Sequence, residues 1–317
     1  YGDDGCADIT TRQNLQLRGV RLEDIPDIFS RFEQAGITSM QSGMDNVRNI
    51  TGSPVAGIAA NAQIDTQGLV VKVQDMITNN GEGNYEFTNL PRKFNIAIEG
   101  SREDSIHSEI NDIAFIPSFK DSIEGGEIGF NVIVGGFFSA RRCDSAIPLN
   151  AWVPADDTVV ELCRAILTVF RDNGARGNRQ QTRLMWLIES MGLDQFRTAV
   201  ENQMGAKLLP AAPEDAITEE GKSDHLGIHA QKQPGMNYIG MHVPVGHFYA
   251  DDMMEFARLA EVYGNGEIRL TVEQNVLIPN VPDSRLEAFL QEPVLQKFSP
   301  EPMTLSREEV SCKGDRF

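Results

Sequence analysis

The stretch Asn89-Leu-Pro-Arg-Lys-Phe-Asn95 places three donor side chains, Arg92, Lys93 and Asn95, within four residues. Pro91 biases Leu90 toward extended backbone, and apolar Ile96, Ala97 and Ile98 follow, so residues 95–99 read as a strand. In such a strand Lys93 and Asn95 share a face, about 7 Å apart, and Arg92 points the other way. A lysine and an amide on one face form a compact donor pair for a small anion. The same pattern suits a solvated strand edge whose lysine discourages edge-to-edge pairing. Arg12, Arg48 and Arg92 lie in separate motifs flanked by Gly, Asn or Pro. Arginine grips carboxylates through two parallel hydrogen bonds, so a ligand bearing many carboxylates would call on several. Each arginine alone equally suits a surface ion pair.

Several elements must position these groups. Residues 7–20 read as a strand with Leu15 and Leu17 on one face, and residues 24–34 as a helix with Ile25, Ile28, Phe29 and Phe32 at helical spacing, ended by Gly36. Residues 45–57, rich in Gly, Asn and Pro, read as a loop carrying Arg48. Helices are expected over 69–78, 159–173, 179–191 and 193–203, and strands over 110–116 and 129–134. Residues 209–235 are polar and Pro-rich, a linker or wrapping arm. Strands mixed with long helices predict an α+β fold.

Thr10-Thr-Arg-Gln-Asn-Leu-Gln-Leu-Arg-Gly-Val20 has an echo in Thr271-Val-Glu-Gln-Asn-Val-Leu-Ile-Pro-Asn-Val281. A helix follows each copy, over 24–34 and 284–291. A repeat at so long a separation is a domain duplication rather than a solenoid period. The second copy is preceded by a strand over 238–245 and a helix over 251–263, whereas nothing precedes the first. The expected division is therefore a partial first repeat at 1–38, an α/β unit at 39–204, a linker at 205–235, a second repeat at 236–298, and the start of a further unit at 299–317.

The chain has 317 residues, 41% of them hydrophobic, and a formal net charge of −18. That charge argues against nucleic-acid binding, which needs a basic footprint. No apolar run approaches the ~18 residues of a membrane span. The chain opens on Tyr1-Gly-Asp-Asp-Gly5, so no signal peptide is expected within it. Cys6, Cys143, Cys163 and Cys312 show no Cys-x-x-Cys spacing, which reads as reduced thiols rather than a disulfide framework. His225 and His229, four apart, could form a metal pair on a helix, but Gly227 intervenes and no third ligand is near in sequence.

The motifs in order, Thr10 to Gly19, Gln41-Ser-Gly-Met-Asp-Asn-Val-Arg-Asn49, Asn89 to Asn95, Gly129 to Cys143, Arg176-Gly-Asn-Arg179 and Gly266 to Asn275, resemble those of the ferredoxin-dependent nitrite reductases within the nitrite/sulfite reductase family. The resemblance runs over essentially the whole chain. It implies duplicated ferredoxin-like half-domains flanking a mixed α/β siroheme-binding domain. The implied reaction is the six-electron reduction of nitrite to ammonium at siroheme coupled to a [4Fe-4S] cluster. Reduced ferredoxin is the implied donor. It further implies a monomer, free of membrane and nucleic acid, in a plastid stroma or a cyanobacterial or bacterial cytoplasm.

By the same resemblance, Arg12 and Asn14 contact the cofactor. Arg48 faces the distal side of the haem, Lys93 and Asn95 lie beside the substrate anion, and Arg92 and Arg179 reach siroheme carboxylates. Gly135 and Gly136 would allow close approach to the macrocycle. Family members that reduce sulfite carry Lys-x-Lys where this chain has Lys93-Phe-Asn95. One fewer cation suits the monoanion nitrite over the dianion sulfite. Sulfite reduction on the same scaffold, or a non-catalytic tetrapyrrole- or anion-binding module, are the alternatives. The family's cluster needs four cysteines in two spaced pairs. Only Cys312 matches, so the sequence reads as a piece lacking both ends, expected neither to hold the cluster nor to reduce nitrite alone. An acidic donor such as ferredoxin would have to find a local basic patch on an acidic chain.

Overall fold

Strand Phe94–Ile98 is buried at every position. It pairs in parallel with Val47–Gly52 on one side and Ile113–Lys120 on the other. Glu127–Val134 and Ile147–Pro154 extend the sheet antiparallel to five strands. Burial on both faces is why residues 94–98 are almost continuously apolar. The computed structural model describes residues 5–120, 126–139, 142–213, 217, 221–307 and 309–311. These form two units, Tyr1–Thr38 with Ile58–Ala60 and Ser223–Phe317, and Ser39–Gly57 with Asn61–Lys222. The architecture is α+β, and no described helix is long and apolar enough to cross a membrane.

In the second of these units, helix Thr158–Asn173 buries Leu162, Ile166, Leu167 and Phe170, with the Phe170 ring 5.5 Å from that of Phe94. Helices Gln67–Thr78 and Leu193–Met204 contribute Leu69, Val73, Phe196 and Val200 to the same core. The loop expected over 45–57 contains strand Val47–Gly52, and strand Ile147–Pro154 had no counterpart in the sequence reading. Both hold their place by pairing with the central strands, which local sequence does not reveal. The strand expected over 110–116 begins only at Ile113, after a short 3-10 helix at Ser108–Ile110. The helix expected over 179–191 is two pieces, a 3-10 turn Arg179–Gln181 and helix Leu184–Met191. Part of the arm lies along the sheet: the Leu209 carbonyl accepts from the Trp152 N–H at 2.9 Å, and Asn131 and Ala212 exchange two hydrogen bonds.

The first unit carries the repeat. The expected strand over 7–20 is a hairpin, Cys6–Ile9 with Leu15–Leu17, flanked on its other side by His247–Tyr249. Its turn is built like the one joining Arg269–Leu270 to Val276–Pro282. In both, the threonine N–H donates to the asparagine carbonyl four residues on, at 2.8 Å from Thr10 and 3.0 Å from Thr271. In both, the threonine hydroxyl accepts the asparagine N–H, at 3.1 and 3.2 Å. Gln13 and Gln274 both take positive φ, 55° and 66°. Leu15 and Leu17 do share a face, but it is exposed, at 51% and 38%. Gly227–Ala230, inside the expected linker, pairs antiparallel with Met236–Met241. His229 therefore sits in a strand, stacked on Tyr238 at 4.7 Å, and His225 Nδ1 lies 3.2 Å from the Tyr238 hydroxyl.

Candidate functional site

Arg92 and Lys93 stand immediately before strand Phe94–Ile98, and Asp112 immediately before Ile113–Lys120. Glu127–Val134 runs antiparallel to the latter, so Phe137 and Phe138, which follow it, return to the same edge of the sheet. Gly135 makes that return, donating its N–H to the Asp112 carbonyl at 2.8 Å with φ of 85°. There a cleft of about 540 Å³ opens. Five cationic side chains line it, Arg92, Lys93, Arg142, Arg179 and Arg183, and no carboxylate does among the described residues. Phe137, Phe138 and Trp186 supply aromatic faces, with Phe138 65% exposed.

The floor is fixed by a buried ion pair. Arg183 donates from Nε and Nη2 to the two Asp112 oxygens at 3.0 and 2.6 Å. Asp112 also accepts the Asn95 N–H at 2.8 Å. The Arg183 guanidinium lies 5.3 Å from the Phe137 ring centre, and Arg142 stacks over Trp186 at 4.5 Å. Arg142 also pairs with Asp144 and Glu189. At the rim, Arg179 grips both Asp45 oxygens at 2.9 and 3.1 Å, and Arg92 reaches Asp45 at 3.5 Å. The hydrogen bond from Arg179 and the charge of Arg92 outweigh burial and hold the Asp45 carboxyl below its usual range. Arg48 is exposed and donates from Nε to the Met44 carbonyl at 3.1 Å. Partial burial lowers its pKa, and repulsion from Arg92 and Arg183 adds to that, so these three cations share one field.

The structure thus brings Arg92, Lys93 and Arg179 to one cleft, with Arg48 electrostatically beside them. Arg92 and Lys93 do not point to opposite faces. Both line the one cleft, Arg92 from a bend and Lys93 from the irregular residue just ahead of the strand, where the two-residue alternation does not apply. Asn95 is buried and is not among the cleft-lining residues. Arg12 and Asn14 belong to the other unit. Arg12 is half-buried with Nη1 on the Thr11 carbonyl at 3.0 Å, and Asn14 is exposed. Gly135 and Gly136 have reasons within the protein. A Cβ on Gly136 would stand 2.3 Å from the Glu109 carbonyl oxygen and 2.5 Å from that of Asn111. Arg142, Arg183 and Trp186 were missed. Arg183 and Trp186 open one helical turn, a cation beside an aromatic that could have been a signal.

The residues suit a flat polyanion. Trp186 lines the cleft, and its Nε1–H is buried without a hydrogen-bond partner among the described residues, a donor left unfilled. An iron–sulfur cluster does not fit the described residues. Cys143 and Cys163 are free thiols and Cys6 is buried, and none of the three joins a metal-binding group of described side chains. Burial in helix Thr158–Asn173 pushes the Cys163 thiol up. Cys312 lies outside the described residues.

Residues 43–208 match the sequence profile of the nitrite and sulphite reductase 4Fe-4S domain. Residues 1–35 and 229–295 match that of the nitrite/sulfite reductase ferredoxin-like half domain, the two segments that contain the matching turns. The chain is 64% identical over its whole length to a ferredoxin–nitrite reductase of Leptolyngbya laminosa, covering 61% of that protein. It is 52% identical to the chloroplastic ferredoxin–nitrite reductase of Arabidopsis thaliana, covering 54% of it. The structure of the Mycobacterium tuberculosis NirA protein superposes with a TM-score of 0.88 at 30% identity, covering 99% of this chain and 55% of that one. The chain therefore spans just over half the length of these relatives.

Proposed function

The chain belongs to the nitrite and sulfite reductase family, and we propose that it forms the anion-gripping part of a ferredoxin-dependent nitrite reductase. The observation that carries this reading is the cleft itself: among the described residues five cationic side chains and no carboxylate line it, on a chain of net charge −18. Such a cleft concentrates small anions and orients carboxylates. Siroheme, held with its carboxylates on Arg92, Arg142 and Arg179 and the Trp186 N–H, would supply the iron centre and pass on electrons received from reduced ferredoxin.

Within that frame the chain's own side chains hold nitrite and feed protons. Lys93 is the proton donor to the departing oxygen, and Arg48 and Arg183 polarise the anion. The Asp112 carboxylate keeps the Arg183 fork in one orientation. Phe137 and Phe138, which line the cleft, would help to exclude water from it. For Arg12 and Asn14 the cofactor role rests on the motif resemblance alone, as does the substrate role of Asn95. The protein is proposed to act as a monomer in a plastid stroma or a bacterial cytoplasm. The plant relative's name carries "chloroplastic" and the Leptolyngbya one does not.

The test is the complete protein assayed with reduced ferredoxin and either nitrite or sulfite. Ammonium formed from nitrite, with a siroheme visible spectrum, supports the reading. Sulfide formed from sulfite at an equal or higher rate, or a protein that holds no tetrapyrrole, overturns it.

A further inference from the structure

Residues 99–112 cross over between the parallel strands Phe94–Ile98 and Ile113–Lys120. The ligand-capable atoms of Asp104, His107 and Glu109 in this crossover all lie within 4.8 Å of one another. Asp104 and Glu109 open on a cavity of about 330 Å³, separate from the cationic cleft, which Glu99 and Ser108 also line. Glu99 is only 1% exposed. One of its oxygens accepts from the Ser105 hydroxyl at 3.3 Å and the Ile106 N–H at 3.1 Å. The other, Oε2, is buried with no hydrogen-bond partner among the described residues, as is the Ser108 hydroxyl. Leaving a carboxylate oxygen dry and unpaired costs more than a neutral group would. A cation removes that cost, as does the proton that burial favours by pushing the Glu99 carboxyl up to about 8.

We propose that this cavity binds one divalent metal ion through Asp104, His107 and Glu109, with the inner oxygen of Glu99 facing it. Four carboxyl side chains line the cavity, Glu99, Glu103, Asp104 and Glu109, against two cationic ones, Arg102 and Lys222. One imidazole with carboxylate oxygens selects Mn²⁺ or Zn²⁺ over metals that demand thiolates. The Lys222 ammonium lies 3.2 Å from His107 Nε2, so metal and lysine compete for that nitrogen. Asp104 and His107 take positive φ, 50° and 51°, conformations that a bound ion would help to hold.

The experiment uses the complete protein, untagged and dialysed against chelator, titrated with MnCl2. The free-ion electron paramagnetic resonance signal reports binding. Saturation at one Mn²⁺ per chain is expected, with spin-echo modulation from one nitrogen. Asp104→Asn and Glu99→Gln should weaken binding about tenfold or more. His107→Gln should weaken it similarly and remove the nitrogen modulation, with nitrite reduction unchanged. If Glu99→Gln does not fold, the half-exposed His107 variant decides. No saturable binding at millimolar Mn²⁺, or unchanged affinity and modulation in His107→Gln, overturns the proposal. Neither outcome bears on nitrite reduction, which is read separately.

Discussion

Arg183 and Asp112 form a two-pronged ion pair with side chains only 7% and 0% exposed, at 2.6 Å. Asp112 uses the same carboxylate to accept the Asn95 N–H, so one buried anion ties the entry of the central strand to the start of helix Leu184–Met191.

Removing one partner of such a pair strands the other charge. Asp112→Asn should destabilise the chain by roughly 3–5 kcal/mol, measured by urea denaturation. It should also weaken nitrite binding in the complete protein, read as a raised KM, because the Arg183 fork proposed to polarise the anion loses its orientation. A loss below about 1 kcal/mol would show that the pair is not the anchor described.

Lys93 and Arg179 line the same cleft but should behave differently. Lys93→Met should lower kcat for nitrite about 100-fold, with the cofactor spectrum retained. Arg179→Ala should reduce cofactor affinity and leave the denaturation midpoint unchanged, because its pair with Asp45 is solvent-screened on the arginine side. Equal effects of both on kcat would count against a distinct proton-donor role for Lys93.

Gly136 packs its α-carbon against backbone. A Cβ there would stand 2.3 and 2.5 Å from the carbonyl oxygens of Glu109 and Asn111, so Gly136→Ala should destabilise by about 1–3 kcal/mol or more. Gly43, with nothing within 4 Å of a Cβ, is the control. Gly43→Ala should stay within about 0.5 kcal/mol of the parent.

His225 sets a pH window. Burial, with His229 beside it, pushes its pKa down to about 4 from 6.5. Below 6.5 the unfolded chain takes up the proton first. The stability contributed by neutral His225 is therefore present above pH 6.5 and lost as pH falls through about 4. Between pH 7 and 4.5 the parent should lose on the order of 2–3 kcal/mol more than His225→Gln. Because other groups titrate in the same range, the difference between the two profiles is the measurement. Parallel profiles would refute the assignment.

The duplication was legible because its turns obey local rules. Threonine, a left-handed residue and asparagine close the same hydrogen bonds in both copies, so the pattern survives in sequence. Helix 159–173 was legible from its period, since a one-sided apolar face writes itself into spacing. Strand Val47–Gly52 was not, because only a parallel neighbour from elsewhere in the chain makes it a strand. Arg183 and Arg142 went unnoticed for a similar reason. A cation becomes a cleft wall only when folding sets it beside other cations.

By itself the sequence determined the repeat, the long helices and the family, and it singled out Arg92, Lys93 and Arg179, since each rests on residue type and short-range spacing. The tertiary structure alone decided that Arg92 and Lys93 face one way and that Asn95 is buried. It also placed Asp112 under Arg183 and gathered the crossover carboxylates around a cavity. These depend on contacts between residues far apart in the chain, whose geometry is fixed by sheet pairing and burial rather than by neighbours in sequence.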